Sequence, residues 1–193
     1  MRRAPALLTL FLVFACAGPV FAARGGEDPR RIPLVDQSGA PFRLADLRGA
    51  PAFVTFIATR CTDACPIANA EFERLSESVR AAHLRAHLVT ITLDPDYDTP
   101  IVMWRTAREF AADGRTWRLV SGNPANVRAE MRAFGVTAEK DAHGIPDLHS
   151  SFVYVLDARG RLARTMPLST NFPAEALALV RARAIALATR HAS

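Results

Sequence analysis

The sequence has few cysteines, almost no lysine and, beyond its first 23 residues, no long apolar run. Each shortage excludes something. Three cysteines, Cys16, Cys61 and Cys65, are too few for a disulfide-stapled scaffold. Without a second apolar run, a protein with several membrane spans is excluded. No period of about 20–50 residues recurs, which excludes a solenoid. Lys140 is the only lysine, and the basic side chains are scattered rather than clustered. Nucleic-acid binding calls for a basic face, so no nucleic-acid partner is expected. Without Arg2 and Arg3, 22 basic side chains stand against 19 acidic ones, a net charge of +3.

What remains is ordinary globular material. Half of the 193 residues are hydrophobic and 22% are charged, enough for one domain with a sizeable core. The N-terminus carries a targeting signal. Met1-Arg2-Arg3 is a short positive start, Ala6 to Ala17 is apolar, and Val20-Phe21-Ala22 forms a small-x-small cleavage site. Residues 1–22 therefore read as a secretory signal peptide or, if retained, a membrane anchor. Lipidation of Cys16 is a third option. All three place the domain outside the cytoplasm, in the periplasm of a bacterium, with membrane association through this segment if it is kept. Residues 23–32 read as a polar linker and 33–190 as the folded domain.

Along that domain, Phe42 to Leu44 alternates like a short strand, and Pro51 to Thr59 is an apolar, β-branched run that reads as a buried strand. Cys61 to Pro66 turns into a helix reaching about Ala82, with Pro66 in its first turn. His87 to Leu93 is a second buried strand. Thr99-Pro100 opens a helix, Thr99 as its cap and proline at the first position. Trp117–Val120 is a strand, Asn123-Pro124 opens another helix, Val127–Phe134, closed by Gly135, Phe152–Leu156 is a third buried strand, and Leu162–Thr165 is its hairpin partner. Ala174 to about Ala188 is the last helix. This alternation predicts an α/β domain, a central mixed sheet flanked by helices, of thioredoxin-like type.

Cys61 and Cys65 follow a buried strand and open a helix, where free N–H groups and the helix dipole favour thiolates. Arg60 adds positive charge. If the turn is already helical, the i, i+4 spacing puts both sulfurs on one face. The pair is then able to oxidise reversibly or, when reduced, to present two soft ligands suited to Cu(I), with an imidazole as the usual third. A local structural disulfide is the plainer alternative.

Among the histidines, His83 and His87 flank a helix end, His191 lies in the tail, and His143 sits in a polar loop. His149 stands just before the strand Phe152–Leu156, which in a thioredoxin-like sheet neighbours the strand leading to Cys61. It is the candidate third ligand, against the plain alternative of a hydrogen-bonding loop histidine. Asp94, Asp96 and Asp98 lack the glycine and terminal glutamate of a calcium loop and read as a turn with a helix cap. Met103, Met131 and Met166 are too dispersed for a copper motif.

Four ordered segments resemble the SCO/SenC proteins. Cys61-Thr62-Asp63-Ala64-Cys65-Pro66 is similar to the family's C-x-D-x-C-P signature, and Asp94-Pro95-Asp96-Tyr97-Asp98-Thr99-Pro100 to its D-P-x-x-D-T-P loop. Leu119–Gly122 with Phe134-Gly135-Val136 resembles its L-x-G…Y-G-V segment, and His149–Asp157 its histidine strand. The resemblance implies a thioredoxin-like domain that binds copper through Cys61, Cys65 and His149 and serves assembly of the copper centre of cytochrome c oxidase. Its partner would be the copper-bearing oxidase subunit or another copper carrier. Asp94 matches an acidic loop residue near that site. Arg60, Thr62 and Tyr97 depart from the family's usual residues and remove no ligand.

Two functions compete. A metallochaperone uses all three ligands to carry copper. A thiol–disulfide oxidoreductase uses Cys61 to attack a partner's disulfide and Cys65 to resolve it, and does not need His149. Whether the chain is an enzyme turns on that choice. A peroxidase of the P-x-x-x-T-x-x-C type is disfavoured, because Ala58 stands at the proline position.

Overall fold

The structure is a computed structural model that describes residues 28–147 and 152–191. The expected leader, residues 1–22, and His149 lie outside the described residues. The strands are β1 (Leu34–Asp36), β2 (Pro41–Phe42), β3 (Ala52–Ile57), β4 (His87–Thr92), β5 (Trp117–Ser121), β6 (Glu139–Lys140), β7 (Pro146–Asp147), β8 (Phe152–Leu156) and β9 (Leu162–Pro167). The helices are α1 (Ala64–Ala81), α2 (Pro100–Glu109), α3 (Pro124–Phe134) and α4 (Phe172–His191).

Seven strands form one sheet in the order β2-β1-β5-β4-β3-β8-β9. β3 pairs parallel with β4 and antiparallel with β8, and β4 pairs parallel with β5. The sheet is therefore mixed, and helices cover it, giving the thioredoxin-like α/β architecture. All six residues of β3 are buried, which explains its unbroken apolar pattern: both of its faces are covered. On one face Val54, Phe56 and Val89 pack with Val127 and Phe134 of α3. On the other, Phe53 and Leu88 pack with Phe72 of α1, Met103 of α2 and Phe172 of α4. Met103 and Met166 are core residues, and Met131 of α3 is only partly buried against the core.

Several local expectations need correction. The strand expected at Phe42–Leu44 is only Pro41–Phe42, and Leu44–Asp46 is a 3-10 turn. Its partner β1, three residues long, is too short to show a period. Within the expected linker, Pro29–Arg31 is a 3-10 turn and Ile32 is buried in the core. Thr99 begins α2 with Pro100 at the first position, but its hydroxyl makes no capping hydrogen bond. Asn123 does cap α3, its side chain accepting from Ala125 N at 2.8 Å, and Gly135 closes that helix at φ +69°. The expected tail around His191 is the last turn of α4. Among the described residues, no helix is long and apolar enough to cross a membrane.

Candidate functional site

The site is built where β3 ends and α1 begins. After Ile57 the chain turns at Ala58–Arg60, and Cys61 N donates to Ala58 O at 3.1 Å. The helix starts only at Ala64, so Cys61 lies on the loop and Cys65 is the second helical residue. This corrects the expectation that both cysteines share a helical face. The bend at Thr62-Asp63 instead folds Cys61 back over the open end of the helix.

Both cysteines are free. They pack together at the mouth of the helix, and each acts on the other: the Cys65 thiol lowers Cys61, and Cys61 raises Cys65. The two thiols nevertheless have opposite environments. Burial alone would raise the half-buried Cys61 thiol. The backbone N–H groups of Asp63, Ala64 and Cys65 all donate to its sulfur, and together with the Cys65 thiol they hold it below the ordinary thiol value. Cys65 is buried against Ile57 and Ala68. Burial pushes its thiol up to about 12, and the nearby Cys61 and Asp98 add to this; the Ala58 N–H, donating at 3.4 Å, opposes it. Two depressed thiols were expected from the sequence, and only Cys61 is depressed.

Arg60 does not act as the cation beside Cys61. Its Nε and Nη2 donate to Asp94 Oδ2 at 3.1 and 2.5 Å, and its guanidinium stacks over Tyr97, 4.5 Å from the ring centre. Nη2 also reaches Gly144 O at 3.4 Å, which ties the β6–β7 hairpin to the cysteine loop. Arg60 and Tyr97, two departures from the family pattern, thus form one contact.

Asp98 is the functional neighbour that sequence reasoning missed. The acidic loop was read as a turn with a cap, but the Asp94 and Asp98 carboxylates reach long-range partners, and only Asp96 is exposed. Asp98 is fully buried. It accepts from Thr59 N at 3.2 Å, from Thr92 Oγ1 at 2.6 Å and from Thr59 Oγ1. Burial raises its carboxyl above the usual value, and the three hydrogen bonds pull the other way. These bonds fix Thr59, two residues before Cys61. The one sequence signal was Thr59 and Thr92, polar residues just past the end of one largely apolar strand and at the end of another.

Of the remaining histidines, His83 and His143 are exposed, and His87 is half-buried at the start of β4, at the other end of the sheet from Cys61. Among the described residues no group of three or more histidine, cysteine, aspartate or glutamate side chains is gathered for a metal. The structure brings together Cys61 and Cys65. The strand that follows His149 does run beside β3, with Val54 opposite Tyr154 and Thr55 Oγ1 donating to Phe152 O at 3.1 Å.

Comparison with known proteins agrees with this architecture. A SCO2-like protein of Rickettsia felis is 27% identical over 143 residues, which cover 72% of this chain and 68% of that one. The copper-bound ScoI of Bradyrhizobium japonicum superposes with a TM-score of 0.68 at 27% identity, covering 78% of this chain and 95% of the other. A SCO1/SenC family lipoprotein of Bacillus anthracis gives a TM-score of 0.70 at 22% identity, over 77% and 90% of the two chains. The SCO1/SenC family model matches residues 30–184, and with four-fifths of its length inside that match this chain belongs to the SCO1/SenC family.

Proposed function

We propose that this protein is a copper metallochaperone that binds Cu(I) through Cys61, Cys65 and His149 and delivers it to the copper centre of cytochrome c oxidase. The observation that carries the reading is the free cysteine pair, packed together at the mouth of α1, in a chain of the SCO1/SenC family. Two soft sulfurs suit Cu(I), which accepts two or three ligands. A neutral His149 nitrogen completes the set. It is flanked by Asp147, two residues before it, and by Phe152, three residues after it, which limits its Cα to about 11 Å from that of Phe152. The copper-bound relative from Bradyrhizobium japonicum supports copper as the cargo. An exported domain, periplasmic and held near the inner membrane by residues 1–22 if they are retained, fits a partner at the membrane.

The contrast between the thiols favours a second reading, thiol–disulfide exchange. The Cys61 thiolate attacks a partner's disulfide, forming a mixed disulfide and releasing one partner thiolate. Cys65 then attacks Cys61 Sγ, which frees the second partner thiolate and leaves Cys61–Cys65 oxidised. The buried, high-pKa Cys65 is the resolving thiol in that scheme.

An anaerobic Cu(I) competition titration of the reduced protein beside His149→Ala separates the two. The chaperone reading expects one copper per chain and a loss of affinity of tenfold or more in the variant. Tight copper indifferent to His149 would remove the three-ligand site, and no tight copper would leave disulfide exchange.

A further inference from the structure

We propose that the β8–β9 turn and the last turns of α4 form a second site, one that binds a phosphoryl group. A cavity of about 270 Å³ opens there, lined among others by Asp157, Arg159, Arg161 and Arg183. It is far from the cysteines. Leu156, just before the turn, pairs with Ala52 at the start of β3, whereas Cys61 follows the end of that strand. At about 3.3 Å per residue the two ends of β3 are about 17 Å apart.

The charge in this cavity is unbalanced. Three arginines and one aspartate line it, and that carboxylate is already committed. Arg161 donates to Asp157 Oδ2 from Nε at 3.0 Å and from Nη2 at 2.9 Å, and the backbone N–H groups of Arg159 and Arg161 donate to Oδ1 at 2.8 and 3.0 Å. Arg159 and Arg183 have no carboxylate partner among the described residues. Arg183 Nε is buried and meets no acceptor among them.

A buried donor without an acceptor is costly, and an entering oxyanion satisfies it. The fork of N–H groups on arginine matches paired phosphate oxygens. The lining carries a net charge of about +2, which a phosphate dianion balances and a single carboxylate does not. The volume suits a phosphoryl group with a small substituent and is below the range of larger ligand pockets. The group can belong to a soluble phosphate or to a lipid headgroup.

Two arms test this on the full chain. In the first, thermal unfolding is followed against inorganic phosphate at ionic strength held constant with sodium chloride. Wild type is compared with Arg183→Gln, with Arg159→Gln, and with Arg164→Gln, which removes an exposed charge outside the cavity. In the second, flotation compares phosphatidylcholine vesicles with and without phosphatidic acid for the same four proteins, which all carry the same residues 1–22. The proposal expects a response in wild type and Arg164→Gln, and at least tenfold more ligand for the same response in Arg183→Gln or Arg159→Gln. A response confined to the phosphate arm assigns a soluble phosphate, and one in the vesicle arm a lipid headgroup. A response equal in all four proteins, or none in either arm, overturns the site.

Discussion

Asp98 beside the cysteine loop and Glu130 on α3 are both fully buried acids, yet the protein treats them in opposite ways. Asp98 receives three hydrogen bonds, two of them from Thr59. Both Glu130 oxygens lack a hydrogen-bond partner among the described residues. Burial pushes Glu130 up to about 8, with Asp28 adding to the shift, whereas the bonds to Asp98 oppose its burial. The difference shows where this fold spends its donors. They gather at the end of the sheet that holds Cys61 and Cys65, where position matters, while α3 tolerates an acid that stays neutral instead of being paired.

The largest effect should come from breaking the satisfied side. Asp98→Ala leaves Thr59 N, Thr59 Oγ1 and Thr92 Oγ1 without their acceptor, at a cost of about 3 kcal/mol. Urea unfolding measures it, and Cu(I) affinity should fall as well because the loop before Cys61 loosens. Asp98→Asn, which keeps an acceptor, should lose less.

The orphan side should show itself through pH. Glu130 has its proton-binding value raised in the folded state, so the native protein holds a proton that the unfolded chain has already released above about 4.5. Its stability contribution is complete below 4.5 and is lost as pH rises through about 8. Across that window the wild type should lose stability on the order of 5 kcal/mol relative to Glu130→Gln, whose amide does not titrate. Parallel pH curves for the two proteins would contradict this.

The smallest test compares two helix starts that the sequence makes look alike, Thr99-Pro100 and Asn123-Pro124. Asn123 Oδ1 accepts from Ala125 N, and Thr99 makes no such bond. Thermal unfolding should show a loss of about 1 kcal/mol for Asn123→Ala and a change within about 0.5 kcal/mol for Thr99→Ala.

The pattern of what the sequence reveals follows the same division. The apolar run of β3, the cysteines after it and the strand after His149 beside it were all legible, because burial on both faces writes a continuous signal. Gly135 and Asn123 were legible because helix ends select them locally. The start of α1 at Ala64 was not, since Cys61 and Cys65 at i, i+4 fit a helix as well as a bend. The partners of Asp94 and Asp98 were not, because an aspartate in a loop looks the same whether it turns to its own backbone or to Arg60 or Thr59 some 35 to 40 residues earlier. The unequal thiols were hidden for the same reason: the three N–H groups around Cys61 and the apolar wall around Cys65 exist only once the chain is folded.

X-ray absorption of the full chain, loaded anaerobically with one equivalent of Cu(I), tests the central claim most directly. The account predicts a three-coordinate copper with two sulfur ligands and one nitrogen, the nitrogen disappearing in His149→Ala. Copper held by two sulfurs alone in the wild type, or a spectrum unchanged by the loss of His149, would contradict it.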